Sequence, residues 1–156
     1  AEAVMGLLLL MTWKAAGAMP PVGAAGCAAA LPAATGTPSV HVLLSPRMPY
    51  ALKEWRRMAD VARQAGFRVA AYRDPRVPLP EWRAAVSAEG LDALLTLAPL
   101  DLDSAQSCDM LNHAPTAVVA RCGHVHPWPV RGVMPESAWR HVLAARLADL
   151  ETLPCP

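Results

Sequence analysis

Charge is segregated along this chain. Before Ser39 the only charged residues are Glu2 and Lys14, and every other charged side chain lies beyond that point. A globular unit needs a solvated face, and a stretch this poor in charge has little with which to build one. The boundary is therefore set at Thr37-Pro38, giving an apolar N-terminal segment, residues 1–38, and one domain, residues 39–156. Within the segment, residues 3–13 (AVMGLLLLMTW) are apolar until Lys14 interrupts them. That run is shorter than the about 20 residues a spanning helix needs, and it suits the apolar region of an export signal. The expectation is an export signal or anchor, with membrane association through it, or else an arm packed on the domain. Cys27 offers a further alternative as a lipidation site, although the bulky aliphatic residue usual three positions earlier is absent.

Past the boundary the periodicity alternates between strand and helix. Residues 40–45 (VHVLLS) read as a buried parallel strand. From Tyr50 the apolar positions Leu52, Trp55, Met58, Ala59 and Ala62 recur at helical spacing, with Lys53, Arg56, Arg57 and Arg63 opposite and Gly66 as the stop. Residues 68–72 (RVAAY) read as a second strand, 81–89 as a short helix and 93–97 (ALLTL) as another strand. Residues 101–112 are polar, with a helical turn around Ala105. Thr116 to Arg121 is a clear strand, Gly123 a turn, and residues 125–131, rich in proline, an edge strand. A last helix enters at Pro135, with Trp139, Val142, Leu143, Leu147 and Leu150 inward.

The run from His113 to Leu147 (Pro-Thr, apolar strand, Gly turn, second strand, Gly, amphipathic helix) resembles the C-terminal half of thioredoxin-like domains. With the strand–helix–strand unit before it, the resemblance spans residues 40–150. It implies an α/β, three-layer domain: a central mixed sheet of four to five strands with helices on both faces. It also implies that Pro115 is the cis-proline beside the site of that family. The departure lies after the first strand, where a thioredoxin carries Cys-x-x-Cys. Here that place reads Ser45-Pro46-Arg47-Met48-Pro49, without a cysteine, and disulfide exchange needs an attacking thiolate. A strand ending in Ser-x-x-Met-Pro is also similar to the TrbC-type pilus-assembly proteins of conjugative secretion, which are periplasmic and often lack the redox pair.

Four cysteines allow three complete pairings. In an exported chain a structural Cys108–Cys122 bridge is the first expectation, against two free thiols in a cytosolic protein or a redox-active pair. Cys155 would pair with Cys27 or with another chain. Cys122, His124 and His126 alternate as metal ligands would on one strand face, with His113 near, but a turn at Gly123 would splay them. Asp101, Asp103 and Asp109 read as a solvated acidic loop, because the glycine and terminal glutamate of a calcium loop are missing. Ser45, Arg47, Met48 and Trp128 are the candidate contact residues for a protein partner. Net charge of +1 with 17% charged residues argues against nucleic acid as a partner.

The reading is thus a non-catalytic, thioredoxin-like interaction module of the bacterial envelope. It would be periplasmic or anchored in the inner membrane facing the periplasm, an accessory of a conjugative or type IV secretion assembly. No catalytic residue and no cofactor is expected, and enzymatic activity is judged uncertain, leaning against. The alternatives are an atypical thiol–disulfide protein using Cys108 and Cys122, or a metal-binding protein using Cys122, His124 and His126.

Overall fold

The computed structural model describes residues 26–28, 31, 36–48 and 50–156, so the apolar run at 3–13 lies outside the described residues. The apolar run after Pro38 forms β1 (Ser39–Leu44), which lies between β2 (Arg68–Arg73) and β3 (Thr116–Arg121) in a five-stranded sheet. β1 runs parallel to β2, with Val40 opposite Val69 and Val42 opposite Ala71. It runs antiparallel to β3, with Val40 opposite Val119 and Val42 opposite Ala117. Because side chains alternate along a strand, this register puts Val40, Val42, Leu44, Ala117 and Val119 on one face and Leu43 and Val118 on the other.

Three helices build the larger core on the first face. α1 (Trp55–Gln64) turns Trp55, Met58, Ala59 and Ala62 inward, α2 (Leu79–Ala88) contributes Trp82 and Val86, and α4 (Glu136–Glu151) contributes Trp139, Leu143 and Leu150. Both buried indoles find acceptors: Trp82 Nε1 donates to the Leu94 carbonyl at 2.9 Å, and Trp139 Nε1 to that of Met58 at 3.1 Å. The second face is covered by α3 (Leu102–Ser107) with Leu100, Ala105, Cys108 and Met110. Asp101 caps α3 by accepting from Ser104 N–H at 2.9 Å. That capping bond, to the side chain and backbone of Ser104, holds the Asp101 carboxyl below its usual range.

Two expectations change. Residues 93–97 are not a strand: Asp92–Leu94 form a 3₁₀ turn, because Leu91 and Leu94 both point into the large core. The chain then meets the sheet in an isolated parallel bridge at Pro99, where Arg73 N–H donates to the Ala98 carbonyl at 2.9 Å and Leu100 N–H to the Arg73 carbonyl at 3.2 Å. The proline-rich edge is cut in two, into β4 (His124–Val125) and β5 (Val130–Arg131), each pairing with β3. Cys27 and Leu31, from the residue 1–38 segment, are buried in the second core. Among the described residues no helix is long and apolar enough to cross a membrane.

Candidate functional site

The register that pairs Leu43 with Thr116 brings the start of β3 alongside the end of β1. The Ala114–Pro115 peptide there is cis, and the loop from Ser45 to Met48 follows β1 at the same edge. Ser45 is buried rather than presented to a partner; its hydroxyl bonds the buried carboxylate of Asp74. Asp74 is also gripped by the Arg76 guanidinium at 3.0 Å through both oxygens and by the Arg76 N–H at 2.9 Å. Burial alone would push this carboxyl up, but the Arg76 fork, its N–H and the Ser45 hydroxyl together hold it below the usual carboxylate range. Arg47 is exposed and forks onto Glu81 at 2.8 and 2.9 Å. Met48 is half-buried in a shallow groove with Tyr50, Leu52 and Lys53. The loop that follows β1 contains no cysteine.

The cysteines are paired elsewhere, and not as expected. Cys27 bonds Cys108, with Cα atoms 4.7 Å apart, and Cys122 bonds Cys155, with Cα atoms 5.1 Å apart. The Cys108–Cys122 bridge is therefore corrected. Cys108 faces the second core, where Cys27 enters to meet it. Cys122 instead sits in the turn beyond β3, facing the chain end that follows α4. Two residues in left-handed conformation, Cys122 (φ 53°) and Gly123 (φ 76°), join Arg121 to its ladder partner His124. Positive φ at both central positions is the two-residue type I′ hairpin. His124 Nε2 donates to the Pro154 carbonyl at 3.0 Å, which holds the tail beside the turn. Cys122 is 5% exposed, whereas Cys155 is open to solvent.

The three metal candidates are not brought together. Cys122 is bridged, His124 holds the tail, and buried His126 bonds Asp149 through Nε2 at 2.8 Å. Among the described residues no group of three or more His, Cys, Asp or Glu could hold a metal ion. The Trp128 N–H donates to His126 Nδ1 at 3.1 Å, so Nδ1 is an acceptor and the proton of the neutral ring sits on Nε2. Trp128 itself is 61% exposed. Sequence reasoning missed the role of Cys27 because a bridge across 81 residues leaves no local spacing to read.

No protein-family model and no curated protein matches the sequence. Solved structures do match. MTB dsbF, in its mixed oxidized and reduced forms, superposes over 72% of this chain and 82% of its own, with a TM-score of 0.53 and 17% identity. A thiol:disulfide interchange protein of the thioredoxin family from Chlorobium tepidum covers 72% of this chain and 81% of its own, with a TM-score of 0.52 and 14% identity. The fold is thioredoxin-like. The mixed five-stranded sheet with helices on both faces matches the expected architecture. The expected function is corrected. Four cysteines in two disulfides, on a fold shared with proteins of thiol–disulfide exchange, overturn the non-catalytic interaction module and favour the thiol–disulfide alternative.

Proposed function

We propose that this chain is a thiol–disulfide exchange protein acting outside the cytoplasm, with Cys122–Cys155 as its exchangeable bridge. The observation that carries this reading is the contrast between the two bridges. Cys27 and Cys108 are 2% and 4% exposed, while Cys155 lies open in the C-terminal tail. A protein thiolate can reach only a sulfur that solvent reaches. Two disulfides belong to an oxidising compartment, which in a bacterium is the periplasm or the cell exterior.

The exchange runs as follows. A substrate thiolate attacks Cys155 Sγ, the Sγ–Sγ bond breaks, and its electron pair leaves on Cys122. A second thiolate of the substrate then attacks the substrate sulfur of the mixed disulfide and expels Cys155. The substrate dithiol is oxidised to a disulfide, and Cys122 and Cys155 are left as two thiols after taking protons from water. Run in reverse, the same steps reduce a substrate disulfide, with Cys155 as attacker and Cys122 as resolver. His124, by holding the Pro154 carbonyl, keeps Cys155 beside its partner.

The test uses insulin and dithiothreitol. The protein should accelerate insulin-disulfide reduction, and Cys155→Ser should abolish the gain. Cys122→Ser should accumulate a mixed disulfide at Cys155 that is mapped by mass spectrometry. No acceleration by the parent chain, or full activity in Cys155→Ser, overturns the reading.

A further inference from the structure

The Cys27–Cys108 bridge, closed to a protein thiol, is not sealed off. It forms part of the wall of a pocket of about 220 Å³, completed by Ser107, Asp109, His126 and Pro127 among others. An engineered protein cavity of about 150 Å³ holds benzene, so this one admits a small molecule of that size or slightly more. Glutathione, a tripeptide, is much larger than that guest and would have to project beyond the pocket mouth. Its wall is mixed. Asp109 carries an ion pair to Arg131, and the His126 ring is fixed at both nitrogens by Trp128 and Asp149. A built polar wall against a disulfide is the setting for a small polar thiol.

We propose that this pocket is a binding site for low-molecular-weight thiols of the size of cysteamine, which open the Cys27–Cys108 bridge without unfolding the domain. Cys108 follows α3 as its C-cap, where backbone carbonyls disfavour a neighbouring thiolate, and the sulfur that better bears negative charge is the better leaving group. The small thiolate therefore attacks Cys108 Sγ, the Sγ–Sγ bond breaks, and the electron pair leaves on Cys27. A second small thiol releases Cys108 as a thiol and departs as the oxidised dimer of the reagent. The consequence is structural: Cys27 is freed from the second core, to which it ties the chain before β1.

The folded, oxidised protein is treated separately with cysteamine and with glutathione, and each bridge is followed by alkylation and peptide mapping. After correction for thiolate concentration, cysteamine should open Cys27–Cys108 at least about tenfold faster than glutathione, with the adduct on Cys108. At the exposed Cys122–Cys155 bridge the two reagents should differ by less than about threefold. Gln106→Trp, at an exposed position on the pocket rim, should slow the first reaction and spare the second. Equal corrected rates for both reagents at Cys27–Cys108 would overturn the proposal, as would a rate that climbs with urea in step with global unfolding. The two bridges are read separately, so exchange at Cys122–Cys155 can fail while the pocket reaction holds, and the reverse.

Discussion

His41 stands on the middle strand with both ring nitrogens engaged: Nε2 with Ser39 Oγ and Nδ1 with Tyr72 Oη, each at 2.9 Å. Burial lowers its pKa from 6.5 to about 4. The unfolded chain therefore takes up this proton more readily than the folded one between those two values. Stability falls as pH drops through that window and is flat above it, by roughly 3 kcal/mol at the lower end. In NMR the His41 ring should not titrate above pH ~5; a midpoint near the ordinary histidine value would reject this. Asp74 depends on pH in the same direction but for a different cause, its bonds to Arg76 and Ser45 outweighing burial. Its lowered pKa means its ionised form stabilises the fold above the ordinary carboxylate value, and that contribution is lost as pH falls through the folded value. Removing the guanidinium in Arg76→Ala leaves a buried carboxylate short of donors and should cost about 2 kcal/mol at neutral pH. The cost should shrink as pH falls below the ordinary carboxylate range and the carboxyl takes up its proton in the folded state as well. Urea midpoints of the two proteins across that range measure it; a pH-independent difference would contradict the ion-pair account.

Helices and strands with strong local patterns were legible as elements, and those whose form depends on distant partners were not. β2, β3 and α4 follow from apolar spacing alone. The spacing predicts α1 from Tyr50, but Tyr50 adopts a left-handed φ of 67° that a right-handed helix cannot include, and the regular helix begins at Trp55. Residues 93–97 have the composition of a strand; what decides against it is the 3₁₀ turn at Asp92–Leu94, whose last carbonyl accepts from the indole of Trp82. The hairpin was half visible, since Gly123 marked a turn but nothing marked Cys122 as its left-handed partner. That hairpin supports a prediction. A Cβ at Gly123 would meet nothing within 4 Å, but its φ of +76° strains any L-residue. Gly123→Ala should therefore cost about 1 kcal/mol through the backbone alone. Because the turn aims Cys122 at Cys155, the same variant should reduce its Cys122–Cys155 bridge more readily in a dithiothreitol titration, with Cys27–Cys108 unchanged. Equal reduction at both bridges would show that the turn does not position the sulfur.

At the scale of the molecule, the layer order was readable because each layer repeats its own period, whereas the cysteine connectivity was not. Cys27 lies in a segment whose lack of charge looked like a reason to exclude it from the domain, and its partner is 81 residues away. The two bridges close successive, non-overlapping loops, one from Cys27 to Cys108 and the other, 33 residues apart, from Cys122 to Cys155. Each therefore restricts the unfolded chain independently. In the chain-entropy description the longer loop contributes roughly 4.5 kcal/mol and the shorter roughly 3.7 kcal/mol. Those figures are similar, but the folded-state consequences are not. Losing the first bridge also loosens Cys27 and Leu31 against Leu43, Met110 and Val118 in the second core, while losing the second frees only an exposed tail. The paired variant Cys27→Ser/Cys108→Ser should thus lose more stability in urea than loop entropy alone gives, with a lower denaturant slope if its N-terminal residues detach in the folded state. Cys122→Ser/Cys155→Ser should lose less, with an unchanged slope. The reverse order would mean that the second core holds together without its bridge and that the tail, not the N-terminal segment, is the part the domain depends on.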